Sequence, residues 1–177
     1  MTLPESLPAG VWEVDPKNTE LCFSVKHMMV SRVKGRFSQF EGSVEVDNSI
    51  NGQATIKVDS IDTGDKVRDS HLTSNEVFSC SKFPEIHFQM TGFRPSQVGL
   101  VVTGDLTVKG ITSPIELDVT TIPELDKFDG GLIRILATSK LSRKTFGLTW
   151  NALIEMGSAV VSDTVTLELA IELVPKN

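Results

Sequence analysis

Apolar and polar residues alternate along most of the chain with a period of two. In one run, Phe23 and Val25 alternate with Ser24 and Lys26. Further alternating runs cover residues 40–46, 55–59, 86–91, 98–109, 115–120 and 164–173. Successive side chains of a strand point to opposite faces of its sheet. The pattern therefore predicts strands with one buried face and one face in water.

Turn-forming residues separate these runs at hairpin spacing, at 48–52, 94–96, 109–110 and 129–131. The chain has too few helical stretches to cover a parallel sheet, so we expect antiparallel pairing. About eight such strands favour closure into a barrel, which removes exposed sheet edges. We therefore predict an all-β fold built as an extended antiparallel β-barrel. A two-layer sandwich is the alternative that the alternation leaves open.

The segment from Ser60 to Pro84 departs from the alternation. It contains a charged stretch, residues 66–72, which predicts a short helical insertion near residues 64–74 between two strand-like runs. An irregular insertion in a repetitive sheet protein serves either to close one end of the barrel or to build a site.

Length and charge restrict the function classes. A chain of 177 residues is most simply one domain over 1–177. Its formal net charge of −6 disfavours nucleic acid, which is bound through clustered Lys and Arg, and disfavours weak binding to anionic membrane surfaces. No stretch is long enough for a transmembrane helix, and no secretory signal is seen. We expect a cytoplasmic protein if the chain is complete.

The cysteines and histidines do not indicate a metal site. Cys22 and Cys80 are expected to be reduced thiols inside a cell. No Cys-x-x-Cys is present, and His27, His71 and His87 are widely spaced along the chain. We expect neither a structural zinc site nor a catalytic cofactor.

The insertion carries the one tight grouping of acid, base and imidazole, formed by Arg68, Asp69 and His71. An acid–base enzyme needs such groups beside a nucleophile, and no nucleophile elbow or phosphate-binding glycine loop accompanies them. A lipid-modifying enzyme using His71 and Asp69 is therefore the weaker alternative. The stronger one is that these residues brace the barrel end or contact a ligand.

His27 shares the inward parity of Phe23 and Val25, so it is either a hydrogen-bonded structural residue or a polar contact for a ligand. Met28 follows directly, and methionine suits an irregular apolar ligand as well as a packed core. Sequence periodicity does not distinguish a filled barrel from a hollow one. On these residues alone, the candidates are a packed interaction module and a carrier of an apolar ligand.

Several separated motifs occur in an order that resembles the YceI-like, polyisoprenoid-binding family. The resemblance runs from about Val11 to the last strand. Its motifs are Ser24-Val25-Lys26-His27, Gly35-Arg36-Phe37, Arg68-Asp69-x-His71-Leu72, Phe83-Pro84, Gly104-x-Leu106-x-x-Lys109-Gly110 and Arg143-x-x-Phe146-Gly147.

This resemblance implies a lipocalin-like barrel whose long cavity holds an isoprenoid chain, such as an isoprenoid quinone or a polyprenyl phosphate, for transport, storage or sensing. It implies no established catalytic step. Relatives are often periplasmic or secreted and often pair, so a homodimer is a further expectation. The residues expected to contact the ligand are Phe23, Val25, His27, Met28, Arg68, Asp69, His71, Phe88, Met90, Leu106, Arg143 and Phe146.

Overall fold

The computed structural model describes residues 8–27, 31–124, 131–149 and 161–177. The strands in these ranges are β1 (Gly10–Val14), β2 (Glu20–His27), β3 (Ser31–Phe37), β4 (Phe40–Val46), β5 (Ile50–Lys57), β6 (Ile61–Asp62), β7 (Glu85–Pro95), β8 (Leu100–Val108), β9 (Ile111–Glu124), β10 (Leu132–Ser142) and β11 (Val161–Pro175). The helices described are α1 (Lys66–Thr73) and the 3₁₀ helices Val58–Ser60 and Arg143–Phe146. The predicted all-β class is confirmed.

Eight strands close into an antiparallel barrel. Their order is β1–β4–β5–β7–β8–β9–β10–β11, and β11 pairs back to β1 to complete the ring. The closing ladder sets Trp12 opposite Pro175 and Val14 opposite Leu173. The predicted barrel is therefore confirmed, and the sandwich alternative is wrong because the ring has no break between two sheets.

A three-stranded extension lengthens the barrel at one end. The last residues of β11 pair with β1, and its earlier part, from Val161 to Ala170, pairs with β2. β1 and β2 therefore lie one after the other along the same edge of β11. β2 pairs in turn with β3, but β3 pairs with β6 only at Arg36 and Phe37. Among the described residues, the first part of β3, 31–35, therefore has a neighbouring strand on one side only.

Strand faces follow the predicted alternation. In β7, Ile86 and Met90 are buried while Gln89 between them is exposed. The alternation also predicts an inward side chain at residue 98, and this is wrong. Val98 is 76% exposed because it lies in the β7–β8 turn, which the Ser96 N–H closes by donating to Gly99 O at 3.0 Å.

The barrel end with the closing ladder is sealed by a small apolar cluster. Trp12, Val46, Ile133 and Leu173 come from four different strands, and each is at most 4% exposed. A larger cluster lies further along the barrel and includes Val58, Ile86, Leu106, Val108, Ile115, Leu117, Val119, Ala137 and Phe146. Burying a side chain of this size contributes about 1.5–3 kcal/mol.

The predicted helical insertion is confirmed as α1. The helix begins after Asp65, whose carboxylate accepts hydrogen bonds from the Val67 and Arg68 N–H groups at 3.0 and 3.1 Å. Beyond α1 the chain folds back, and Val77 is completely buried. Phe78 then packs against the larger cluster, so the insertion covers part of that cluster.

Gly104 in β8 allows a close approach of the Phe88 ring across the sheet. A Cβ atom at Gly104 would overlap this ring and lie 2.8 Å from Gln89 O. Gly52 in β5 also points inward, but a Cβ there would meet Met90 at 3.6 Å, an ordinary contact distance. The two glycines therefore differ in the space around them, although both face the barrel interior.

This difference predicts opposite effects of adding a methyl group. We expect Gly104→Ala to lower the free energy of unfolding by about 1–3 kcal/mol through overpacking. Gly52→Ala is the matched control, and we expect it to be neutral or to raise that free energy by up to about 1 kcal/mol. Urea denaturation of both variants measures the difference. Equal effects would contradict the placement of Phe88 over Gly104.

Candidate functional site

Many apolar side chains that point into the barrel are only half-buried. They include Phe23, Val25, Phe37, Phe88, Val102, Leu141, Leu167 and Leu169. A filled interior buries its side chains almost completely, because protein cores reach the packing density of organic crystals. Accessible surface on an inward side chain borders space that the protein's own atoms leave open. The inward apolar faces therefore keep part of their surface accessible.

Aromatic rings form part of this lining. The Phe23 and Phe37 rings are tilted by 42° with their centroids 5.6 Å apart, in the range of favourable aromatic pairs. The Phe23 ring also lies over Gly35 on β3, where a side chain would collide with it. These contacts fix the two rings against the inner surface of β2 and β3.

A pocket of about 540 Å³ opens in the barrel wall between β9 and β10. The ladder between these strands ends at the pair Asp118 and Thr138, and β9 continues alone with β8 from there to Ile111. Pro114 lies in that part of β9, where its missing N–H needs no partner on the β10 side. At the fork, the Ser139 hydroxyl donates to Glu116 O at 2.6 Å.

The pocket has an apolar floor and a polar rim. Ile115, Leu141 and Phe146 form apolar surface, and the hydroxyl-bearing lining residues are Ser113, Thr138, Ser139, Ser142, Thr145 and Thr166. The Glu116 carboxylate at the rim bonds the Arg94 guanidinium at 2.9 Å, and this hydrogen bond lowers the pKa of Glu116. At the rim, Glu116 is therefore ionised and neutralised by its pairing with Arg94.

His27 lies on the inner face of β2, half-buried, next to Val25. Its Nδ1 is 3.4 Å from the Ser31 hydroxyl, which also donates to His27 O at 3.1 Å. Its Nε2 is buried and has no hydrogen-bond partner within the part of the chain that the structure describes. A buried polar atom without a partner costs about 1–3 kcal/mol, so this nitrogen favours a polar group nearby.

Arg68 and Asp69 are both bound to Thr63. The Arg68 guanidinium donates from Nε to the Thr63 hydroxyl and from Nη2 to Thr63 O, each at 2.8 Å. Asp69 Oδ1 accepts from the Thr63 N–H at 3.0 Å and from its hydroxyl at 2.5 Å. This arrangement ties the start of α1 to the end of β6. His71 lies one turn further along, with Nδ1 3.9 Å from Glu76 Oε2.

Arg143 is buried and bonds backbone carbonyls. Its guanidinium donates to Leu148 O at 2.6 Å, to Ser162 O at 3.1 Å and to Val161 O at 3.2 Å. Beside it, the Ser142 hydroxyl donates to Asp163 at 2.6 Å, which lowers the pKa of that carboxyl group. Together these bonds hold the 3₁₀ helix after β10 against the start of β11.

The structure brings some of the predicted ligand contacts together and separates others. Phe23, Val25 and His27 share the inner face of β2, while Phe88, Met90 and Leu106 line β7 and β8. Phe146 reaches the pocket between β9 and β10. Arg68, Asp69 and His71 lie on the insertion, and Met28 falls outside the described residues. Their roles as ligand contacts stay predictions.

Sequence reasoning missed the fork between β9 and β10. The residues that it brings into the pocket wall are Ile115, Ser139 and Leu141. The signal was present, because Pro114 stands directly before the alternating run 115–120 and a proline there restricts pairing to one side.

The described ranges contain no group of three or more His, Cys, Asp or Glu side chains placed to hold a metal ion. Cys22 and Cys80 are free thiols, and burial is the main factor that raises the pKa of each. Within the same ranges, no helix has the length and apolar character to span a membrane.

Comparison with known proteins finds relatives over most of the chain. A UPF0312 protein of Staphylococcus aureus (strain N315) is 33% identical over 164 residues, which cover 89% of this chain and 94% of that protein. The structure of the Campylobacter jejuni YCEI protein is 27% identical, with a TM-score of 0.74 over 86% of this chain and 90% of that one.

A third similarity concerns the fold alone. A polyisoprenoid binding domain from Saccharophagus degradans, implicated in plant cell wall breakdown, is 15% identical and gives a TM-score of 0.74. The match covers 93% of this chain and 98% of that domain. The profile of the YceI-like domain matches residues 12–173, nearly the whole barrel. The chain therefore belongs to the YceI-like family.

Proposed function

We propose that this protein binds an isoprenoid lipid inside its barrel, with the tail between the inward apolar faces. The observation that carries the proposal is the partial burial of inward side chains such as Phe23, Phe88 and Leu167. The cluster around Trp12 limits the space at one end. The fold similarity to a polyisoprenoid binding domain supports the same class of ligand.

The driving force is the removal of the tail from water, worth about 25 cal/mol per Å² of apolar surface. A tail of roughly forty carbons at about −0.3 kcal/mol per atom would give a binding free energy of about −12 kcal/mol, which corresponds to nanomolar affinity. Ordering a flexible tail reduces this value. The remaining affinity suffices for transport, storage or sensing of the lipid.

The polar end of the ligand is proposed to lie near His27. The buried Nε2 of this residue favours a hydroxyl, carbonyl or phosphate oxygen within reach. Arg68 is less suited to this role because Thr63 accepts hydrogen bonds from two of its nitrogens. Arg143 is also less suited, because its guanidinium donates hydrogen bonds to three backbone carbonyls and so stabilises the barrel wall.

Catalysis by Asp69 and His71 is the less favoured alternative. Thr63 donates two hydrogen bonds to one oxygen of Asp69, which suits a structural brace. His71 Nδ1 lies nearest to the Glu76 carboxylate, at the end of α1. A packed module without ligand is also less favoured, because its inward side chains would be buried throughout.

Organic extraction of the purified protein tests the proposal directly. We expect mass spectrometry of the extract to show a polyprenyl or isoprenoid quinone species at close to one molecule per chain. Protein stripped by denaturation and refolding is the control, and it should regain the lipid on loading. An extract without isoprenoid, both before and after loading, would overturn the proposal.

A carboxylate on the inner wall should expel the ligand. We expect Phe88→Asp to lower lipid retention at least tenfold and the free energy of unfolding by about 2–4 kcal/mol, because it places a charge among apolar groups. Gln53→Asp is the matched control on the exposed face of neighbouring β5, and its effect should stay within about 0.5 kcal/mol. Retention and denaturation assays check both variants. Unchanged retention in Phe88→Asp would show that this ring does not border the ligand.

Replacing His27 separates contact with the polar end from contact with the tail. We expect His27→Leu to weaken binding of a polyprenol about threefold to tenfold, the usual net value of one hydrogen bond. Binding of squalene, which has no polar end, should not change. The free energy of unfolding of lipid-free protein should stay the same or rise, because an unpaired buried nitrogen is removed. Equal losses for both ligands would exclude His27 as the polar contact.

A further inference from the structure

Three cations lie together on the outer face of β2 and β3. Lys26 stands directly opposite Arg32 in the antiparallel ladder, and Lys34 is the next residue of β3 on the same face. All three are exposed. We call Lys26, Arg32 and Lys34 the cationic face. Val25 and Val33 alternate with them and point inward, so the two strands are charged outside and apolar inside.

The cationic face lacks the direct ion pairs that several other exposed cations form. Exposed cations such as Lys57, Arg94 and Lys176 each lie within 3.4 Å of a carboxylate oxygen. Among the described residues, no carboxylate pairs with Lys26, Arg32 or Lys34. Like charges directly opposite in a sheet are destabilising. The Lys26–Arg32 pair therefore has a cost to folding that no direct ion pair among the described residues offsets.

The cationic face borders an interruption of the wall. Because β3 pairs with β6 only at Arg36 and Phe37, residues 31–35 form a free edge within the described structure. Phe23 and Val25 lie on the inner side of this sheet, half-buried. An apolar ligand passing around the free edge would move from the cationic face to the aromatic lining over the width of one strand, about 5 Å.

We propose that the cationic face docks the protein on an anionic lipid bilayer, from which the isoprenoid is taken up or to which it is returned. This rests on the proposed function, because a membrane lipid must enter and leave at a bilayer. Each Lys or Arg near an anionic membrane contributes about 1 kcal/mol without any need for a shaped pocket. Because the net charge is −6, the rest of the protein surface is anionic and an anionic bilayer repels it. This repulsion favours contact through the cationic face.

Protection of the free β3 edge against aggregation is the simpler explanation of these charges. Lysines on an edge strand do discourage pairing with other chains. That explanation accounts for Arg32 and Lys34 but not for Lys26, which lies on β2 between β3 and β11. Docking on a bilayer accounts for all three cations, because it requires only that they share one exposed face of the sheet and not that they lie on its edge strand.

The test compares two double variants that carry the same net charge. Lys26→Gln with Lys34→Gln removes two charges from the cationic face and takes the net charge from −6 to −8. Lys17→Gln with Lys176→Gln makes the same change with two exposed lysines near β1 and the end of β11. Thermal unfolding of both confirms folding. Sedimentation with vesicles of phosphatidylcholine and phosphatidylglycerol, or of phosphatidylcholine alone, measures binding.

We expect the wild type and the Lys17/Lys176 variant to bind the anionic vesicles, and binding to fall as salt shortens the screening length. The Lys26/Lys34 variant should bind about thirtyfold more weakly, from two cations at about 1 kcal/mol each. None of the three should bind phosphatidylcholine vesicles. Organic extraction of each variant is a separate measurement, so absence of isoprenoid would count against the proposed function and leave the vesicle result to stand on its own.

Two results would overturn the docking proposal. Equal binding of both double variants would show that net charge, and not the cationic face, determines membrane contact. Absence of wild-type binding to anionic vesicles at low salt would exclude the bilayer and leave an acidic protein as the partner. If the charges serve only to protect the β3 edge, the Lys26/Lys34 variant should self-associate and its vesicle binding should be undiminished. Light scattering measures the self-association.

Discussion

The structure depends on a short ladder that joins the two ends of the chain. β1 and the end of β11 pair at three positions, beginning with Trp12 opposite Pro175, and these pairs close the eight-stranded ring. The Trp12 side chain then fills the same end of the barrel with Val46, Ile133 and Leu173. Trp12 and Leu173 therefore contribute both to closing the ring and to filling this end. Further along the barrel, half-buried side chains such as Phe88 and Leu169 pack against the larger cluster and keep part of their surface accessible.

Two interruptions of the wall follow from local pairing. At the fork, β9 separates from β10 beyond Asp118, in the part of the strand that contains Pro114, and the Ser139 hydroxyl donates to Glu116 O in place of a ladder bond. At the extension, β3 loses its second neighbour after two residue pairs with β6. The two openings differ in chemistry, because the fork is lined by hydroxyl groups and by Glu116 paired with Arg94, whereas the extension has the cationic face. The proposed docking on an anionic bilayer therefore involves the second opening and not the first.

Sequence periodicity predicted the parts of the fold that depend on strand alternation. Phe88 and Gln89 point to opposite sides as expected, and the helix occurs within the predicted insertion. Periodicity does not predict whether the barrel is hollow, because that depends on the summed volume of side chains from all strands. Periodicity also does not predict the hydrogen-bond partners of Arg68 and Arg143, because both side chains bond to backbone carbonyls that only the folded chain brings near.

Alternation also explains how the charge of one face can differ from the net charge of the whole chain. A net charge of −6 treats all charges as one average, and on that basis anionic membranes are unfavourable partners. A strand places every second residue on one side, so charges at Arg32 and Lys34 fall on the same face while Val33 faces inward. Pairing with β2 then adds Lys26 beside them. Salt screens interactions beyond about 8 Å at physiological ionic strength, and for this reason the proposed docking rests on these three neighbouring cations and not on the net charge.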